Sequence, residues 1–171
     1  MRLGMAMLVA ASFLASACND QTEESLAAKE KADAEAIAQV KEQQIAPPID
    51  LDLQPIGYDD IVSNSQMEGP GCSFYAIGGE DPLAIMGDGM GFVKIDEKVQ
   101  RLAADAGSAQ GPAGTRATYD GREYALRIAI NEAEREDGEG EGFFTAPASI
   151  RVVDGYDRDL ASAEGRVGCG G

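Results

Sequence analysis

Short β-rich runs, most of them closed by a glycine-containing turn, fill the sequence from Cys72 onward. In "YALRIAI" the residues Tyr124, Leu126, Ile128 and Ile130 fall on one side of an extended chain and Ala125, Arg127 and Ala129 on the other. Alternation with a period of two is the signature of a half-buried strand. Further runs of this kind are expected at Cys72–Ile77, Leu83–Met86, Gly91–Asp96, Val99–Ala103, Thr115–Tyr119, Tyr124–Asn131, Ser149–Val153 and Gly165–Cys169. Asp120-Gly121, inside "TYDGREY", is the strongest hairpin-turn signal, and "IMGDGMGFVKI" offers a second hairpin through Gly87–Gly89. Several short strands at this spacing predict an all-β domain over residues 72–171, a small antiparallel barrel or sandwich.

The sequence before that domain cannot build a core of its own. Gln21–Gln44 consists of Ala, Glu, Lys and Gln with few larger apolar residues, and only Leu26, Ile37 and Val40 could form an apolar face. Strong helix formers with nothing to bury predict a stalk over residues 18–48, part helical and part disordered. Pro47, Pro48 and Pro55 then set an extended connector. Residues 49–71 are read as a linker with one short helix around Tyr58–Asn64.

Residues 1–17 have one charge, Arg2, then an apolar stretch from Leu3 to Leu14 and the small residues Ala15, Ser16 and Ala17. A basic start, a short apolar segment and small residues at a cleavage point describe a secretory signal, and the run is too short to span a bilayer. The next residue is Cys18, and "LASAC" resembles the lipobox of bacterial lipoprotein precursors, with Leu14 one place earlier than usual. That resemblance, which covers residues 1–20, implies that Cys18 is lipidated and becomes the mature N-terminus. The bilayer is then a partner through the acylated Cys18. With Asn19 next, the family rule places the protein at the outer membrane, facing the periplasm. An ordinary signal cut after Ala17 is the alternative. With Cys18 assigned to lipid, Cys72 and Cys169 remain, and an oxidising compartment implies that they form a disulfide.

Composition then narrows the chemistry. Fourteen Lys and Arg against thirty Asp and Glu give a net charge of −16, with no basic patch for phosphates, so nucleic acid is not an expected partner. Another envelope protein or a basic protein fits the balance better. There is no histidine, which removes Ser-His-Asp and Cys-His mechanisms and the imidazole metal ligands. "GDGMGF" lacks the lysine of a phosphate loop and reads as a turn. Asp137, Glu139 and Glu141 are spaced two apart, and in an extended segment they would aim one way and make a weak cation contact; a solvated loop is the plainer reading. No cofactor and no resident metal site is expected.

Two readings of function follow, with an enzyme as the third. The first is a non-enzymatic binding or envelope-assembly module on a lipid anchor. The second rests on "SAQGPAGTRATYDGREYALRI", which resembles the site segment of the membrane-bound inhibitors of C-type lysozyme. Those proteins are eight-stranded barrels that place a serine and a tyrosine in the lysozyme cleft. The resemblance puts those roles on Ser108 and Tyr119, with Arg116 beside them, although this segment carries an inserted Gly-Pro and the chain has no tryptophan. A carboxylate-based hydrolase would need two acids across a cleft, about 5–9.5 Å apart.

Overall fold

The structure, a computed structural model, describes residues 23–44, 46–140 and 142–170. The expected signal, Cys18 and Glu141 lie outside the described residues. The chain divides into two units after Ala46. In the first, helix α1 spans Glu23–Gln44, and Leu26, Ile37 and Val40 are all exposed on it. That is what a helix of good formers without an apolar stripe should look like.

The second unit, Pro47–Gly171, is built on strands β1 (Leu53–Gln54), β2 (Gly71–Ala76), β3 (Ala84–Gly87), β4 (Met90–Ile95), β5 (Lys98–Ala104), β6 (Thr118–Asp120), β7 (Ala125–Ile130), β8 (Glu136–Asp137), β9 (Phe144–Val153) and β10 (Asp159–Gly170). Eight of these run in the order β4-β3-β2-β10-β9-β7-β6-β5, and β5 returns to β4, so the sheet closes into an antiparallel barrel. Between the two expected architectures, the barrel is the one found. Its interior is filled by alternating residues of every strand, among them Phe74, Met86, Val93, Leu102, Leu126 and Val152, none more than 2% exposed. Each such side chain contributes about 1.5–3 kcal/mol relative to exposure.

Cys72 and Cys169 stand directly opposite each other on β2 and β10 and are bonded. Both lie inside the barrel, at the end where β2 begins and β10 finishes. The disulfide therefore joins the two strands contributed by opposite ends of the domain.

Residues 47–70 pack on the barrel rather than serving as the linker expected from their prolines. The outer wall carries Phe92, Ile85, Met90 and Val99, which would otherwise face water, and Ile56, Met67 and Ile61 cover them. Ile56 is fully buried. The backbone is tied down by Leu51 N–H to Leu160 O at 2.7 Å and Ile56 N–H to Pro82 O at 2.8 Å. The domain thus starts near Pro47, not Cys72.

Within this cover, helix α2 (Tyr58–Ser63) is fixed by Asp60, whose carboxylate accepts the Gly57 N–H at 3.0 Å and the Lys94 ammonium at 2.7 Å. The Lys94 hydrogen bond is the main reason its carboxyl is held below the usual value, and burial opposes it. A depressed carboxyl pKa gives stability that is present above the unfolded pKa and lost as pH falls through the folded one. Asp60→Asn should therefore destabilise the domain near neutrality and narrow the gap to wild type below about pH 4, as read by urea melts across pH.

Strand ends are where sequence and structure diverge most. Ser149–Val153 extends back to Phe144, through Pro147. The Pro147 carbonyl accepts the Asn131 N–H, so its missing donor faces the gap between the end of β7 and the start of β8. No partner strand asks for that donor. The β6–β7 turn is also displaced: Gly121 N–H reaches Tyr124 O, which puts Arg122-Glu123 at the tip instead of Asp120-Gly121. Gly121 is needed for another reason, since a Cβ there would press on a Leu102 methyl and the Tyr124 carbonyl. The hairpin through Gly87–Gly89 is found as expected.

The β4–β5 turn uses Asp96 and Glu97 at φ 49° and 61°, a left-handed pair normally filled by Asn-Gly. Replacing them as Asp96→Asn with Glu97→Gly should raise stability by about 1 kcal/mol, seen as a higher melting temperature. A lower one would overturn the strain reading, since the hydrogen bond from the Glu97 backbone N–H to Gln54 Oε1 at 2.6 Å is kept by both substitutions.

Candidate binding surfaces

The segment between β5 and β6 folds back over the disulfide end of the barrel. Its short 3-10 turn, Pro112–Gly114, contacts β2 and β10, and Ala113 packs against the core. Ser108 is half-buried, and its hydroxyl donates to Asp105 O at 2.8 Å. Arg116 is half-buried too, with its guanidinium 3.4 Å from Ser108 O. These two residues are brought together beside a shallow depression of about 140 Å³ that Arg116, Ile128 and Glu132 help to line.

Tyr119 does not join them at the surface. It is fully buried, its hydroxyl donates to Gly87 O at 2.8 Å, and it accepts the Arg116 N–H at 2.9 Å. Burial is the main cause that raises its pKa. A partner docking on the folded barrel would meet Ser108 and Arg116, while Tyr119 holds Arg116 from beneath. The reason is local: Gly91, opposite the ring, leaves room for it, since a Cβ there would sit 2.9 Å from the ring carbons.

The described part of the acidic row, Asp137 and Glu139, is not laid out as the spacing suggested. Asp137 lies in β8 and pairs with Arg135, while Gly138 N–H to Phe143 O closes a turn through Gly140 and Gly142, both at positive φ. The segment therefore bends where an extended row was needed, with Glu139 exposed in the turn. Among the described residues, no three His, Cys, Asp or Glu form a group that could hold a metal ion.

Cations on the barrel are largely committed to partners within it. Lys94 pairs with Asp60, Arg127 with Asp157, Arg135 with Asp137, Arg151 with Asp159, Arg158 with Asp154 and Arg166 with Glu136. Most of these pairs are exposed and contribute little to stability. Their effect on the field is larger, because the unmatched charge that remains is negative.

Larger depressions also lie on the barrel, one of about 430 Å³ running past Arg101, Leu102 and Asp120. A trough of about 310 Å³ near the disulfide is lined by Met67, Met90 and Phe92 with Gly71, Gly87 and Gly170. A groove of about 530 Å³ lies between the β6–β7 turn and the β9–β10 turn and includes Tyr124 and Tyr156. Sequence reasoning did not single out this groove; its one local signal is a tyrosine set inside "DGYDRD". No family model, no curated protein and no solved structure matches this chain.

Proposed function

We propose that this chain is a binding or assembly module of the bacterial envelope, anchored by lipid at Cys18, whose barrel engages a basic protein partner. One observation supports this reading above the others: on the barrel Lys94, Arg127, Arg135, Arg151, Arg158 and Arg166 are taken up in ion pairs with the barrel's own acids, so a strongly acidic chain presents negative charge outward. Such a field steers a basic partner to the surface and rejects acidic ones. The filled barrel interior supports recognition by the outer surface rather than in a lumen.

The anchor and the partner are tested separately. Cys18→Ser should move the protein from the membrane fraction to the soluble one, and retention on the membrane would refute the lipid anchor. Capture of the partner from envelope extract should weaken steeply between 50 and 300 mM salt, on the order of ten-fold or more. Salt-insensitive capture would remove electrostatics as its basis.

Inhibition of C-type lysozyme is the second reading, supported by the closed barrel of eight strands and by Ser108 and Arg116 lying together on one end loop. Dose-dependent inhibition that Ser108→Ala and Arg116→Ala both weaken would establish it. Its absence in the wild-type chain would dismiss it and leave the first reading standing.

A further inference from the structure

At the barrel end away from the disulfide, the β9–β10 turn (Asp154–Arg158) and the β6–β7 turn (Gly121–Tyr124) form the two walls of the 530 Å³ groove. Asp154 fixes the first wall. Its carboxylate accepts the N–H of Tyr156 at 2.8 Å and of Arg158 at 3.0 Å, and the Arg158 guanidinium at 2.7 Å. Tyr156 is held by this turn with 64% of its surface exposed, and Arg158 lies 5.3 Å from its ring centroid. A large aromatic held on a braced turn loses little entropy on being covered.

Acids outnumber cations in the lining of the groove. Asp120, Glu123, Asp154 and Asp157 line it against the guanidiniums of Arg122 and Arg127. Arg127 is held by Asp157 at 3.1 Å and also donates to Thr118 Oγ1 at 3.0 Å. Asp120 and Glu123 are exposed, and their carboxylates have no hydrogen-bond or ion-pair partner among the described residues. Arg122, on the same turn, is exposed at the rim.

We propose that this groove is where the basic partner docks, receiving one of its lysine or arginine side chains against the Tyr156 ring and between the carboxylates of Asp120 and Glu123. An aromatic face next to unmatched carboxylates is the chemistry that recognises a cation, and Arg158 over the same ring already displays that contact within the chain. This inference rests on the basic-partner reading above and adds the location.

The test is a calorimetric titration of the full chain with pentalysine at low salt, with pentaglutamate as the control peptide. Tyr156→Ala and the pair Asp120→Asn with Glu123→Gln should each weaken pentalysine binding about five-fold. Tyr156→Phe should bind as wild type. The pair Glu80→Gln with Asp81→Asn, which removes equal charge from the β2–β3 turn, should change binding less than about two-fold. Melting curves confirm that the groove variants are folded. If wild type binds pentalysine but the groove variants bind equally well, the location is wrong and the basic-partner reading survives. If the Glu80/Asp81 pair weakens binding as much as the groove variants, the peptide reads total charge and the groove has no special role. If wild type binds neither peptide, both proposals fall.

Discussion

Replacing Cys72 and Cys169 together with alanine should lower the unfolding free energy of the domain by about 3–5 kcal/mol. The two cysteines are 97 residues apart, so without the bond the unfolded chain regains the freedom of a loop nearly as long as the domain. The folded state loses as well, because both sulfurs are buried where β2 meets β10, at 2% and 0% exposure. β2 and β10 are the pair that joins the start of the barrel sequence to its end, and a barrel without that pair has two open edges. Urea denaturation of the oxidised and the Cys72→Ala/Cys169→Ala proteins measures the difference directly. Reduction under partly denaturing conditions should reproduce most of it, and a loss below about 1 kcal/mol would show that strand pairing alone closes the barrel.

What sequence reasoning reached, and what it missed, follows from how local each signal is. Alternation in β7 is a local property, and Ala125–Ile130 appears as read, with Leu126 and Ile128 buried. β10 is different: "DLASAEGRVGCG" is poor in β-branched and aromatic residues, and only its last part was legible. Its first half, Asp159–Glu164, is strand because β9 pairs with it, and β2 joins on the other side only from Gly165 onward, which is information from distant sequence. The cover over residues 47–70 was missed for the same reason, since nothing local tells a proline-rich connector that Phe92 and Ile85 need shielding. The candidate site divides along the same line. Ser108 and Arg116 lie on one loop and were legible, whereas the Tyr156 groove needs two turns about 30 residues apart to meet.

Tyr119→Phe should cost about 1–3 kcal/mol, and Tyr119→Ala about 3–5 kcal/mol. The first change keeps the ring and leaves Gly87 O without its donor and Arg116 N–H without its acceptor, both at the loop-covered end of the barrel. The second also leaves a cavity beside Gly91. Because burial raises the Tyr119 pKa, the neutral phenol is the form the fold favours. Its contribution is complete below the unfolded pKa near 10 and is lost as pH rises through the higher folded value. Tyr119→Phe should therefore be the less stable protein at pH 7 yet show a shallower loss above pH 10. Gly91→Ala alone should cost about 1–3 kcal/mol, since its methyl would meet the ring at 2.9 Å. Combined with Tyr119→Ala it should cost clearly less than the sum, because the added methyl occupies space the ring has vacated. Additive losses would mean that the two residues act independently, and the account of why this tyrosine lies inside the barrel rather than at a partner-facing surface would be wrong.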